Sequence, residues 1–148
     1  FVQPERFNLE YTDSEGKKQR PVMIHRAVAG SLERFMAIMI EHFAGNFPLW
    51  LSPVQVAVIP VADAHTAYAS GVAEKLKATG FRIEFDDSNE SMGKKIRNAK
   101  KAKLPYFIVI GDKEVESKTV TLESRDTSES TTHTIDELLQ KLDTERNA

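Results

Sequence analysis

A glycine–serine pair in front of an apolar helix is one place where this chain could bind an anion. Gly30 and Ser31 separate an alternating segment, residues 20–25, from a run typical of a helix, residues 31–44. Ser31 is a good N-cap residue, and Arg34 would lie at the third helical position. Free N–H groups at a helix N-terminus, together with an arginine, favour a phosphate or a carboxylate. A strand and a core helix with a surface arginine explain the same residues equally well.

A second candidate is the basic segment at residues 92–103, which holds six Lys or Arg residues and no acid. Apolar residues recur along it at helical spacing and predict a buried stripe: Met92, Ile96 and Ala99. Lys94, Arg97 and Lys101 would then be free to contact phosphate. A solvated helix face is the alternative, and it is the commoner meaning of such a segment.

Bulk composition limits the classes of function. The 148 residues suggest one domain with part of another, and 41% apolar with 28% charged residues is typical of a globular protein. Without cysteine the chain has no disulfide and no thiolate metal site. The longest apolar run is too short to cross a membrane. Because the formal net charge is −2, any nucleic-acid binding must rest on a local patch.

The hydrophobic patterns predict the elements that would position these residues. Strands are predicted at residues 7–12, 22–26, 54–61, 81–85, 106–110 and around 120–122. Helices are predicted at residues 31–44, 65–79, 91–103 and 135–142. Alternating strands and helices imply parallel pairing, whereas the last strands connect too briefly for a crossover and should be antiparallel. We therefore expect an α/β fold with a mixed, mostly parallel sheet of about five strands and three helices, preceded by a β-hairpin and a helix.

The same patterns divide the chain at residues 53 and 54. Residues 45–53 contain two prolines and a glycine but also four large apolar residues, so we expect a packed joint between domains 1–53 and 54–148. Residues 126–134 are rich in Ser and Thr, and we expect them to form a mobile hairpin tip.

Several motifs, in order along the chain, carry a family resemblance. Residues 21–35 read Pro-Val-Met-Ile-His-Arg-Ala-Val-Ala-Gly-Ser-Leu-Glu-Arg-Phe, and they closely resemble the third signature motif of class II aminoacyl-tRNA synthetases, specifically the threonyl enzymes. Further matches lie at residues 42–56, 89–90, 93–97 and 111–117, and they cover almost the whole chain. The resemblance implies the C-terminal piece of such an enzyme. It starts in the last hairpin and helix of the catalytic domain, without the initiator methionine, as a piece cut from a longer protein would.

The resemblance implies a reaction that this chain would share only as part of a longer protein. The family joins threonine to its tRNA through an ATP-dependent adenylate, with Mg²⁺, in a cytoplasmic and homodimeric enzyme. Arg34 would brace ATP, and the Ser31 hydroxyl would line the same site. His25 matches one of three zinc ligands, and the other two positions would precede residue 1. A lone strand histidine is otherwise more often structural.

For residues 54–148 the resemblance implies a class IIa anticodon-binding domain. Asn89 and Glu114 match positions that contact anticodon bases, and both side chains can hydrogen-bond base edges. An N-cap role for Asn89 and a surface charge beside a turn for Glu114 are the alternatives. Glu123 stands where the family has an arginine, and Ser91 replaces a usual lysine. Either Arg125, two residues on, substitutes for the missing arginine, or that contact is lost.

Two other functions compete with the synthetase interpretation. One is a stand-alone RNA-binding module, related to synthetases but without chemistry of its own. The other is the anticodon domain of a prolyl or glycyl relative, which shares this layout. His25 favours the threonyl enzyme, because the resemblance gives that ligand to it.

Overall fold

The structure, a computed structural model, describes residues 2–127 and 129–147. The chain divides by its internal contacts into two compact units, Phe1–Met39 and Ile40–Ala148. The predicted domain boundary at residues 53 and 54 stays a prediction.

The first unit contains little regular structure. It consists of helix α1 (Gln3–Arg6), strands β1 (Tyr11–Thr12) and β2 (Lys18–Gln19), and the start of helix α2 (Leu32–Phe43). The predicted helix at residues 31–44 is confirmed as α2, and the amide of Arg34 donates to the Ser31 hydroxyl oxygen at 3.4 Å, as expected for an N-cap. No residue of α2 is buried.

The predicted hairpin is present, but its strands are shorter and its return strand is placed differently. β1 and β2 pair antiparallel around a turn in which the Asp13 carboxylate accepts the amides of Glu15 and Lys17 at 2.9 and 2.8 Å. That turn closes the hairpin at once, so the chain returns at Lys18. The strand predicted at residues 22–26 is wrong, since this segment pairs with no other strand among the described residues.

The second unit is built on a five-stranded sheet in the order β4-β3-β5-β6-β7. Its strands are β3 (Val56–Pro60), β4 (Ile83–Phe85), β5 (Tyr106–Ile110), β6 (Thr119–Ser124) and β7 (Ser130–Thr134). β3 pairs parallel with both β4 and β5, and the pairs β5–β6 and β6–β7 are antiparallel. Four of the five strands therefore run in the same direction, and the predicted mixed, mostly parallel sheet is confirmed.

Helices cover both faces of this sheet. They are α3 (Thr66–Ala78), preceded by a short 3-10 turn at Asp63–His65, then α4 (Met92–Lys101), α5 (Asp112–Ser117) and α6 (Ile135–Arg146). α3 and α6 pack on one face, where Val72, Leu76, Leu138 and Leu142 join the larger core. α4 packs on the other face through Ala99. Because successive strand side chains point to opposite faces, the fully buried β3 supplies both cores.

Two parts of this unit differ from the sequence prediction. Residues 130–134, expected within a mobile tip, form β7, since threonines suit a half-exposed edge strand that needs no apolar face. Ser128, which the expected tip includes, lies outside the described residues. Helix α5 was not predicted, because its six residues are too short to show a helical period.

Residues 45–53 belong to the second unit and pack against it. Leu49 is buried, and the side chain of Gln55 donates to its carbonyl at 2.8 Å while accepting the amide of Arg82 at 3.0 Å. The Arg82 guanidinium donates to the carbonyls of Trp50 at 3.0 Å and Ser52 at 2.6 Å. This segment is thus held by the side chains of two residues that directly precede β3 and β4.

Gln55→Leu should destabilise the second unit. The substitution leaves the buried Leu49 carbonyl and the partly buried Arg82 amide without these partners, so we expect a loss of about 1–3 kcal/mol. Urea unfolding followed by the fluorescence of Trp50, the single tryptophan, measures it. Gln140→Leu on the exposed side of α6 is the matched control and should change little. Equal midpoints for the two variants would contradict the bridging role of Gln55.

Candidate nucleic-acid interface

Three loops meet at one edge of the sheet. β3, β4 and β5 are parallel, so the loops that follow them, at residues 61–65, 86–91 and 111–114, lie at the same edge. Ligands of open α/β sheets bind at this carboxyl edge, where strand order reverses. The chain continues from β3 to its neighbour β4 and then crosses to β5 on the other side, which gives that reversal here.

A crevice of about 240 Å³ lies at this edge. Its walls come from the loop after β3 and the loop after β4: Pro60, Val61, Ala62, Asp63, Thr66, Asp87, Ser88, Asn89, Glu90 and Lys95. Asn89 is exposed there, with an amide that can both donate and accept. Asn89 does not have the alternative role of an N-cap, because Ser91 is the N-cap residue of α4.

Most of the basic side chains in residues 92–103 have partners within the chain. Lys94 pairs with Glu90 at 2.6 Å, and Lys100 pairs with Glu123 at 2.8 Å. Lys103 donates to the carbonyl of Ala44. Exposed ion pairs are weak and can exchange for phosphate, but their acids lower the local positive potential.

Arg97 and Lys101 differ from these residues. They are one helical turn apart, both are exposed, and neither forms an ion pair with any residue that the structure describes. Together they form the part of α4 most available to phosphate. Lys94, predicted alongside them, lies on the same side of the helix but is tied to Glu90.

The predicted buried stripe of α4 needs one correction. Met92 is exposed and Lys95 is buried, with only 6% of its surface accessible. The Lys95 ammonium donates to the Asp86 carbonyl at 3.0 Å and lies 3.9 Å from the Asp86 carboxylate. Its aliphatic stem is buried while its charge is satisfied by the loop after β4, an arrangement that residue type alone does not reveal.

Glu114 is occupied by bonds within the chain. One carboxylate oxygen accepts the Gly111 amide at 2.9 Å, and the other accepts the Thr121 hydroxyl at 2.7 Å. Burial acts to raise the pKa of Glu114, but these hydrogen bonds outweigh it and hold the pKa below its usual value. The carboxylate thus caps α5 and ties it to β6. A base contact by Glu114 would have to use the remaining lone pairs of its oxygens.

Arg125 is also committed within the chain. It follows β6, its side chain is only 13% exposed, and its guanidinium donates to the carbonyls of Phe47 and Lys103 and to the Asp126 carboxylate. It is therefore poorly placed to replace an arginine at position 123, and we leave it out of the interface. Glu123 itself is paired with Lys100.

The candidate residues of the first unit remain separate side chains. Arg34 is exposed one turn into α2, and the Ser31 hydroxyl donates to Glu33 at 2.7 Å. His25 is exposed in a segment without regular structure, not on the predicted strand. Among the described residues no three His, Cys, Asp or Glu side chains are grouped so as to hold a metal ion. His25 alone does not fit the zinc that the resemblance implies.

Sequence analysis missed several residues of the crevice, namely Asp63, Asp87 and Ser88. The available signal was positional, since each follows a strand of the parallel part of the sheet.

In residues 2–127 and 129–147, no helix has the length and apolar character needed to span a membrane.

The α/β fold, with a crevice and a basic helix at its carboxyl edge, is that of a candidate nucleic-acid-binding module, and comparison with known proteins identifies its family. The family model described as "Anticodon binding domain" matches residues 55–145, and the model "tRNA synthetase class II core domain (G, H, P, S and T)" matches residues 1–43. The chain belongs to the anticodon binding domain family.

Individual relatives have a more specific name than the family does. Threonine–tRNA ligase of Protochlamydia amoebophila is 52% identical over 143 residues, which are 97% of this chain and 22% of that protein. The Pelobacter propionicus enzyme of the same name is 55% identical over 126 residues, 85% of this chain and 20% of that protein. The chain thus spans about a fifth of the length of these relatives.

A solved structure extends the comparison to the fold. The crystal structure of the RNA binding domain of threonyl-tRNA synthetase from Cryptosporidium parvum Iowa II superposes with a TM-score of 0.87 at 39% identity. It matches 98% of this chain and 37% of that chain.

Glu114→Gln should change how stability depends on pH. The folded-state pKa of Glu114 lies below its usual 4.5, so its stabilising contribution is present above about pH 4.5 and is lost as pH falls through the folded-state pKa. The variant should lose about 1 kcal/mol at pH 7 and show a shallower decline towards pH 3. Urea unfolding at several pH values measures it, with the exposed Glu116→Gln on the same helix as control. Parallel pH profiles for the wild type and Glu114→Gln would refute the assignment.

Proposed function

We propose that this chain is the C-terminal part of a threonine–tRNA ligase, in which the second unit binds the anticodon of tRNA(Thr). The observation that carries the proposal is the arrangement at the carboxyl edge of the sheet. There a crevice containing Asn89 lies between the loops that follow β3 and β4, and the second of these loops leads directly into the basic helix α4. The relatives at 52% and 55% identity support the choice of threonine.

Contacts to phosphates and contacts to bases have different roles in this proposal. Arg97 and Lys101 supply charge to phosphates, which raises affinity for any RNA. Asn89 is available to hydrogen-bond a base splayed out of the anticodon loop, as single-stranded loops are commonly read. Lys94 joins the phosphate contacts if it exchanges Glu90 for RNA. Glu114 acts mainly by fixing α5, with its free lone pairs open to an exocyclic amine.

The first unit would contribute to amino-acid activation only within the longer enzyme. Arg34 would lie along the phosphates of ATP, and the Ser31 hydroxyl and the start of α2 would line the same floor. ATP, with Mg²⁺, would supply the adenylyl group that activates the threonine carboxylate, and pyrophosphate would leave. The apolar residues Phe35, Met36 and Ile38 are exposed on α2, consistent with a surface that the rest of a catalytic domain covers. Such a parent enzyme would be a cytoplasmic homodimer.

Substitutions of the residues that contact phosphates and of the residue that contacts a base should have different effects in an RNA-binding assay. Arg97→Ala and Lys101→Ala should weaken a threonine anticodon stem-loop and a scrambled-anticodon stem-loop alike, and each should reduce the salt slope by about 0.7–0.9. Asn89→Ala should instead cost discrimination, by about 1–3 kcal/mol if DNA readout is a guide.

Fluorescence anisotropy of labelled stem-loops at several salt concentrations measures both effects. Lys77→Ala, on the exposed side of α3 across the sheet from α4, makes the same charge change and should leave both affinities unaltered. If the wild-type chain binds both stem-loops equally at low salt, the reading function is refuted.

The chain by itself should not form threonyl-adenylate. It spans about a fifth of the length of its relatives, so most of the pocket for ATP and threonine would come from the rest of such an enzyme. Pyrophosphate exchange with ATP and threonine should therefore stay at background, with a full-length threonine–tRNA ligase as positive control. Threonine-dependent exchange above background by the purified 148 residues would contradict this.

A further inference from the structure

A buried histidine joins two of the loops at the carboxyl edge. His65 ends the 3-10 turn after β3 and is 6% exposed. Its Nε2 lies 2.8 Å from an oxygen of Asp112, the first residue of α5. Its Nδ1 accepts the amide N–H of Ala62 at 3.2 Å, and its own amide donates to the Ala62 carbonyl at 2.9 Å.

These contacts fix the tautomer of the imidazole. A backbone amide can only donate, so Nδ1 must carry a lone pair. The proton of neutral His65 is then on Nε2, where it donates to the Asp112 carboxylate. Each ring nitrogen thus holds a different loop, and the ring cannot rotate by half a turn without losing both bonds.

The loops joined in this way form one wall of the crevice. The amide of Val61 donates to the Ile110 carbonyl at 2.9 Å, which is a second tie between the chain after β3 and the chain after β5. The segment Pro60–Asp63, which includes the tie at Val61 and precedes the tie at His65, lines the crevice together with Asn89 of the loop after β4. The position of this wall relative to the loop after β4 sets the width of the crevice.

The pair adds little to stability. The Asp112 side chain is 92% exposed, and ion pairs or hydrogen bonds with an exposed partner are worth at most about 1 kcal/mol. A buried imidazole tied to an exposed carboxylate therefore has a mainly geometric effect, since it restricts where two loops can lie.

We propose that His65 and Asp112 are positioning residues for anticodon reading: they hold the Pro60–Asp63 wall so that the crevice discriminates between bases. This inference rests on the proposed function. His65 is buried, so it acts through the wall without touching RNA. Pre-organisation of this kind affects the ratio of affinities for correct and incorrect bases, whereas phosphate contacts on α4 are unaffected.

Substitutions of Asp112 test the role of the carboxylate. Asp112→Ala removes the acceptor and should reduce the affinity ratio between threonine and scrambled-anticodon stem-loops about tenfold, the lower range of one base contact. Affinity for the scrambled stem-loop should not change. Asp112→Asn keeps an oxygen acceptor and should restore the ratio. Asp136→Ala, an exposed acid in the first turn of α6, is the matched control.

Substitutions of His65 test the two ring nitrogens separately. In His65→Asn the amide oxygen can replace Nδ1, but the side chain is too short to reach Asp112, so the ratio should fall as in Asp112→Ala. In His65→Gln the amide nitrogen can still donate to Asp112. The double variant His65→Asn/Asp112→Ala should lose no more than either single variant, because both remove the same bond.

Hydrogen exchange of the Ala62 amide gives a readout independent of RNA. In Asp112→Ala the imidazole is no longer held by the carboxylate, so it should protect the Ala62 amide less, and exchange of this amide should accelerate about tenfold. In the wild type, the ¹⁵N shifts of the His65 ring should show the Nε2–H tautomer. Unchanged exchange, the Nδ1–H tautomer, or an unchanged affinity ratio in Asp112→Ala overturns the positioning role while the proposed function stands. A wild-type chain without discrimination overturns both.

Discussion

The parallel pairing of β3 with both of its neighbours is the constraint on which the functional edge depends. Because β3, β4 and β5 run in one direction, the loops that follow them must end together, however far apart they are in sequence. β3 can occupy this central place because all five of its residues are buried, with apolar side chains for the cores on both faces. The crevice and the N-terminus of α4 follow from this one arrangement.

Charge on α4 is distributed more narrowly than its composition suggests. Six basic residues occur in residues 92–103, yet Glu90, Glu123 and Asp86 neutralise three of them. A small basic stripe on an acidic chain favours a partner that is recognised in part by shape and base edges. Affinity that relied on charge alone would fall steeply at cellular salt.

The sequence predicted those features that depend on long, regular patterns. β5 and the start of α4 were predicted to within a residue, since β5 is a continuous apolar run and α4 begins directly after its N-cap residue, Ser91. The roles of Lys95 and Arg125 could not be predicted, because the partners that bind them, Asp86 and the carbonyls of Phe47 and Lys103, are brought near only by the tertiary fold. The motif resemblance located Asn89 without such knowledge, but it did not reveal the wall facing that residue.

The mixed direction of the strands also has a consequence for the order of folding. β5, β6 and β7 are joined by short connections, so this antiparallel half can form from contacts that are local in sequence. The pairing of Val56 with Tyr106 instead closes a loop of about 50 residues, and long loops are entropically costly to close. We therefore expect the antiparallel half to assemble early and the parallel half to dock onto it late. During synthesis, the part of the domain that carries the crevice would be the last to become native.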